Sequence, residues 1–180
     1  MRFIELGLKG AYRIEIEPVS DERGFFARCW SRDEPAAHGL EGDLPECNLS
    51  FNAQRGTLRG LHYQAAPFEQ VKLVRCTQGA IYDVIVDLRA GSPTQGRWEA
   101  VEITMENRRM VYVPAGFAHG FLTLCDSTEV AYQMTGNYAP AHARGIRWDD
   151  PSLRVTWPMA PTLISTRDRS YPLLEASWKN

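Results

Sequence analysis

Residues 80–88 read AIYDVIVDL, and the alternation puts Tyr82, Val84, Val86 and Leu88 on one face. A period of two is the pattern of a β-strand. Upstream, Tyr12, Ile14 and Ile16 alternate with Arg13, Glu15 and Glu17. Downstream, β-branched and aromatic runs recur as WEAVEITM (98–105), RMVYVP (109–114), GFLTL (120–124) and TEVAYQMT (128–135). Between them stand the turn signals DERG, TQG, AGSPTQG, MENRR, VPAG, CDST and GNYAP. They arrive about every eight to twelve residues, the spacing of a sandwich or barrel. The expected fold is an all-β jelly-roll barrel of the cupin type. One helical candidate interrupts it, SRDEPAAHGL (31–40), with Ser31 or Asp33 as N-cap and Gly39 as stop. After Tyr138 the patterning weakens, and IRWDDPSLRVTWP (146–158) reads as a segment packed over the barrel. Without repeats, low-complexity runs or linkers, residues 1–180 are expected to form one domain.

A domain of this length buries roughly two thirds of the surface its unfolded chain exposes, so no disulfide framework is needed. Twenty Lys plus Arg against 22 Asp plus Glu leave a net charge of −2. That balance recruits neither nucleic acid nor a membrane surface, and an anionic ligand must be met by local arginines. Cys29, Cys47, Cys76 and Cys125 stand singly, with no C-x-x-C pair. They are expected to be reduced, core-filling thiols in a cytoplasmic protein. No stretch approaches the ~18 apolar residues of a membrane span, and the N-terminal MRFIELGLKG lacks the apolar core of a signal peptide.

The chemistry centres on RGTLRGLHYQ (55–64), which sets His62 among two arginines and two glycines in a chain holding four histidines. A metal-binding barrel would need histidines at i and i+2 of one strand with a carboxylate close behind. Here position i+2 is Gln64, and His119 in PAGFAHGF makes a poor site with His62 alone, so no metal is expected. A neutral imidazole facing into a barrel can instead act as a general base. It then needs a carboxylate to fix its tautomer, for which Asp83, Asp87 and Asp168 are candidates, and an acid opposite, for which Tyr132 and Tyr138 compete with Tyr82 and Tyr112.

Taken together, DERGFF (21–26), NLSFNAQRGTLRGLHYQ (48–64), KLVRCTQGAIYDVIVDLR (72–89), SPTQGRW (92–98), VPAGFAHGF (113–121), Tyr132, RWDDP (147–151) and ISTRD (164–168) resemble the dTDP-4-dehydrorhamnose 3,5-epimerase family over nearly the whole chain. The resemblance implies a cofactor-free, metal-independent jelly-roll homodimer. It also implies inversion of C3 and C5 in a nucleotide-linked 4-keto-6-deoxyhexose, dTDP-4-dehydro-6-deoxy-D-glucose becoming dTDP-4-dehydro-L-rhamnose. It makes His62 the base, Asp168 its orienting carboxylate, Tyr132 the acid and Lys72 the cation facing the C4 oxyanion. Arg23, Asn48, Arg59 and Arg167 fall where the family holds diphosphate and nucleotide. His119 lines the same pocket, Tyr138 stacks on the base or belongs to the core, and Asp83 is a further candidate for holding the histidine. The N-terminal segment offers strands that could add to a neighbour's sheet.

Three positions depart from the family pattern: Arg28 in FFARCW replaces a glutamate, Glu46 in LPECNLS lies near a usual glutamine, and Ala143 in YAPAHARG replaces a glutamate. Putting a donor where an acceptor is usual changes hydrogen-bond demand around the nucleotide, so Arg28 and Glu46 join the substrate-binding candidates. The alternatives are a C3-only or C5-only epimerase, an enzyme for another nucleotide sugar, or a barrel that binds a sugar nucleotide without turning it over.

Overall fold

In the computed structural model, which describes residues 1–174, the chain opens with β1 (Arg2–Glu5), β2 (Tyr12–Glu15) and the short pair β3 (Val19–Asp21) and β4 (Gly24–Phe26). It continues through β5 (Glu46–Asn52), β6 (Thr57–Gln64), β7 (Lys72–Gln78), β8 (Ala80–Asp87), β9 (Trp98–Thr104), β10 (Met110–Val113), β11 (Phe117–Thr123) and β12 (Thr128–Met134). Short β13 (Ala143–Gly145) and β14 (Leu163–Ile164) precede a single turn, α1 (Thr166–Arg169). One sheet runs β1-β2-β10-β7-β12-β5 and the other β13-β6-β11-β8-β9, with β14 added in parallel beside β6. All other pairings are antiparallel, and the two sheets close a jelly roll over a shared core that includes Val74, Ile81, Ile85, Val111, Phe117, Phe121 and Val130.

The period-two reading of residues 80–88 holds, but neither face of the strand meets water. Ile81 and Ile85 point between the sheets. Tyr82, Val84 and Val86 point outward and are covered by Ile146, Leu153, Val155 and Trp157 of the C-terminal segment. The first sheet is covered similarly on part of its outer face, where Trp30, Leu40 and Leu44 pack on Ile14, Leu73 and Tyr112. Further along that sheet none of the described residues covers Leu49 and Phe51, which alternate outward on the edge strand β5.

The helical candidate shrinks to one 3-10 turn, Pro35–His38. Neither Ser31 nor Asp33 caps it; Glu34 holds the cap position without a side-chain bond, and Gly39 ends the turn in the left-handed region at φ 69°. The apolar residues flanking the turn cover the sheet instead of forming a helical stripe. The cysteine expectation also needs correction. All four thiols are free, but only Cys76 is buried, Cys125 is half-buried, and Cys29 and Cys47 are exposed.

Asp87 closes β8 and is fully buried. Its carboxylate accepts from Arg89 N at 3.0 Å, Arg89 Nε at 2.9 Å and Thr94 Oγ1 at 2.6 Å. The Arg89 guanidinium also lies 4.7 Å from the Phe117 ring centre and donates to the Lys9 carbonyl. Burial pushes the Asp87 carboxyl upward, but the bonds from Arg89, Ser92 and Thr94 outweigh it and hold the group at about 2. Because this lies below the unfolded value, the stabilisation is complete above about pH 4 and is lost as pH falls through 2. Asp87→Asn is therefore expected to cost about 2 kcal/mol at pH 7, and the gap from wild type in denaturant midpoint should close between pH 4 and 2.

Candidate active site

β6 and β11 are neighbours, and His62 stands directly across from His119 in their register. Two glycines permit this close pairing. A Cβ on Gly60 would lie 2.6 Å from Gly120 Cα and 2.9 Å from the His119 carbonyl, and Gly60 sits at φ 129°, where a side chain is strained. Each histidine has its own carboxylate. His62 Nε2 lies 2.8 Å from Asp168 Oδ1, and His119 Nε2 lies 2.6 Å from Asp83 Oδ1.

Asp168 reaches His62 across 106 residues because β14 runs beside β6 and delivers α1 to the barrel end. Ser165 caps that turn by accepting from Asp168 N at 3.0 Å, and Gly60 N donates to Asp168 Oδ2 at 3.1 Å. Burial works against the charge of Asp168, yet the pairing with His62 and the Gly60 N–H hold its carboxyl below the usual range. With Nε2–H donated to this carboxylate, Nδ1 of His62 carries the lone pair. The His62 side chain remains 41% exposed, so that lone pair is reachable.

The first sheet supplies the opposite wall. Lys72 on β7 and Tyr132 on β12 join His62, His119 and Arg59 around a cavity of about 160 Å³. The Lys72 ammonium lies 3.5 Å from the His62 carbonyl oxygen. Burial lowers its pKa to about 8, and the charge of Asp83 opposes that fall. His62 also borders two adjoining lobes. One, about 190 Å³, is flanked by Tyr138, Arg144, Arg167 and Tyr171; the other, about 410 Å³, lies against Arg59, Arg167 and Asp168. Arg59 donates through Nε to Asn52 Oδ1 at 2.7 Å and through Nη2 to the Phe51 carbonyl. Asn48 stands opposite Tyr132 on the edge strand, and Glu46, Met134 and Lys72 share the next cross-strand row.

Four of the expected substrate-binding residues border no lobe of this cleft: Glu46 and Asn48, on the edge strand, and Arg23 and Arg28, farther off. Arg23, at the tip of the β3–β4 hairpin, pairs with Asp21, and its side chain is 82% exposed. Arg28 is exposed and reaches Glu34 at 3.5 Å. Neither borders a lobe of the cleft in its own chain. The three candidate orienting carboxylates divide cleanly: Asp168 holds His62, Asp83 holds His119 and Asp87 holds Arg89. Of the competing tyrosines, Tyr82 packs edge-on to Trp157 outside the barrel, and the Tyr112 hydroxyl is engaged with the Glu41 backbone. Gln64 donates to the Phe68 carbonyl and accepts from Ala139 N, so its amide ties down the loops at the mouth. Among the described residues, no group of three or more His, Cys, Asp or Glu is placed to hold a metal ion.

Tyr171 escaped sequence reading. Its ring meets His62 edge-on at 5.7 Å between centres, and the Arg167 guanidinium lies 5.7 Å from the Tyr171 ring centre. The available signal was an aromatic three residues after Asp168, which a single helical turn returns to the same side. Tyr171 rests on Gly145, where a Cβ would fall 2.3 Å from its ring. Gly145→Ala is expected to displace the ring at a cost of about 1–3 kcal/mol. Denaturant melts measure that cost, and the His62 proton shifts should lose the ring-current contribution of Tyr171.

The family model described as dTDP-4-dehydrorhamnose 3,5-epimerase matches residues 5–176. A dTDP-4-dehydrorhamnose 3,5-epimerase of Sinorhizobium fredii is 45% identical over 179 residues, covering 97% of this chain and 90% of that one. A dTDP-4-dehydrorhamnose 3-epimerase of Streptomyces niveus is 40% identical, covering 97% of this chain and 84% of its own length. Among solved structures, the Bacillus anthracis dTDP-4-dehydrorhamnose 3,5-epimerase with TDP and PPi bound superposes with a TM-score of 0.92. It is 40% identical, with 96% of this chain and 99% of that one covered.

Proposed function

The chain belongs to the dTDP-4-dehydrorhamnose 3,5-epimerase family, and from that premise we propose that it inverts C3 and C5 of dTDP-4-dehydro-6-deoxy-D-glucose to give dTDP-4-dehydro-L-rhamnose. The observation that carries this reading is the placement of His62 and Tyr132 on opposed sheets across one cavity, with Lys72 on the strand beside Tyr132 facing the same cavity. A carbon-bound proton beside a ketone is too weakly acidic to be lost to imidazole unless the developing enolate is stabilised. In this reading His62 Nδ1 takes the proton, Asp168 stabilises the imidazolium that forms, and the Lys72 ammonium faces the C4 oxygen as it gains charge. Tyr132 then delivers its hydroxyl proton to the other face of the same carbon, which inverts the centre. Proton number and oxidation state are unchanged, and the C4 ketone of the substrate itself takes up the electron pair left on the adjacent carbon.

Arg59 and Arg167 flank the cleft and suit a diphosphate, because the guanidinium fork matches phosphate oxygens. Tyr138 and Tyr171, beside Arg144, offer aromatic surface for the nucleoside base. We read residues 1–180 as one domain working as a homodimer. Leu49, Phe51 and Phe26 are 63%, 55% and 77% exposed, and β5 presents an open sheet edge. Arg23 and Arg28 can serve a nucleotide only across such an interface, since they lie away from the cleft of their own chain. Unbridged, exposed Cys29 and Cys47 suit the reducing cytoplasm. No described helix is long and apolar enough to cross a membrane.

A second reading, inversion at C3 alone, is favoured by the Streptomyces niveus relative named as a 3-epimerase. Proton NMR of the product separates the two. A changed H2–H3 coupling reports inversion at C3, and because H5 couples only to the methyl group beside the C4 ketone, inversion at C5 is read from a new H1–H5 Overhauser contact. Both are expected; the first alone gives the second reading, and unchanged substrate overturns both.

A further inference from the structure

Asp83 is a buried ionisable group beside the site that this reaction does not use. It stands behind His119, away from the cavity surface, with its side chain fully buried on β8. One oxygen holds His119 Nε2 at 2.6 Å; the other, Oδ2, is buried without a hydrogen-bond partner among the described residues. An unpaired carboxylate oxygen at such depth costs free energy unless a charge nearby answers it.

The charges around Lys72 show what that answer is. The side chains bordering the cavity with it are His62 and Arg59 from β6, His119 from β11 and Tyr132 from β12, while Arg144 and Arg167 stand at the outer lobe. These carry positive charge or are neutral in their ordinary forms. Of the other nearby carboxylates, Asp168 is already engaged with His62 and Gly60, and Glu46 lies two strands from Lys72 in the same cross-strand row, half-exposed on the edge strand. Asp83 stands behind His119, which lines the same cavity as Lys72, and its second oxygen is buried with no partner of its own among the described residues, so its negative charge is left to oppose the loss of the Lys72 proton.

We infer that Asp83 is a positioning residue that acts through two neighbours at once, as the buried counter-charge keeping the Lys72 ammonium charged and as the anchor fixing the His119 ring. This rests on the epimerase reading only for its consequence in catalysis; the coupling itself is a property of the folded chain. A lysine buried among cations tends to shed its proton, and a neutral amine cannot stabilise an enolate. A carboxylate beneath the wall of the cavity holds the proton on Lys72 without competing with substrate for contact.

The test is direct because the chain has three lysines, Lys9, Lys72 and Lys179. Lysine-labelled protein gives three ε-carbon NMR signals, and that of Lys72 is expected to titrate near pH 8 in the wild type. Asp83→Asn keeps the shape and an acceptor for His119 but removes the charge. In a variant with unchanged circular dichroism, the Lys72 midpoint is expected to fall by about one pH unit or more. Turnover should then drop about fivefold at pH 8 and little at pH 6, through kcat more than KM. An unmoved Lys72 midpoint overturns the inference.

If Asp83→Asn does not fold, the wild type still decides through aspartate-labelled protein. The Asp83 carboxyl signal should respond as Lys72 titrates, and a signal flat through that range overturns the coupling. Should Lys72 shift as expected while the wild type turns over no substrate, the coupling stands and the epimerase reading fails.

Discussion

His62→Ala is expected to lower turnover of the 4-keto sugar nucleotide by about 10²–10⁴-fold and to end deuterium exchange at both C3 and C5, with little change in nucleotide affinity. Two features of the fold support His62 in the role of base. Asp168 is buried, charged and bonded to Nε2, which fixes the tautomer and leaves Nδ1 to accept. Gly60 N–H holds the second carboxylate oxygen, so the orienting group cannot easily turn away. His119 cannot take over readily: its ring is nearly buried and tied to Asp83 by a 2.6 Å bond. The measurement is the rate of H3 and H5 signal loss in deuterated water. Exchange at the wild-type rate would show that another group abstracts the proton.

Tyr132→Phe should separate exchange from inversion. Phenylalanine keeps the ring that packs on the core but removes the acid on the first sheet. In the proposed mechanism His62 still forms the enolate and, once exchanged with solvent, returns deuterium to the face the proton left. Epimerised product is expected to fall by about 10²–10⁴-fold, while substrate recovered from deuterated water carries label with unchanged configuration. Inversion at the wild-type rate would remove Tyr132 from the acid's role and point to Tyr138 or Tyr171 at the outer lobe.

The barrel was legible because alternation along a strand reports which side chains share a face, as in residues 80–88 and 128–135. The burial of both faces of β8 was not, since the covering residues, Ile146 to Trp157, come from a segment with no regular pattern. The catalytic candidates were legible as residue types. Their pairing was hidden, because Asp83, Asp87 and Asp168 look alike in sequence and differ only in which cation or ring the topology sets beside them. Tyr171 left only the spacing of an aromatic three residues after Asp168, and its contacts with His62 and Gly145 are what place it at the site. Arg23 fits a nucleotide position of the family by motif and Arg28 replaces the glutamate usual near another, yet in one chain both face solvent and neighbouring carboxylates. A residue that works across an interface leaves no trace of it in its own strand pattern.

The central claim, that this cavity removes and returns protons on both sides of a sugar ketone, is tested most directly by mass and NMR analysis of product formed in deuterated water from dTDP-4-dehydro-6-deoxy-D-glucose. The expected result is one deuterium at C3 and one at C5, both centres inverted, with both labels absent when His62→Ala replaces the wild type. Product or recovered substrate free of deuterium at both carbons would contradict the account.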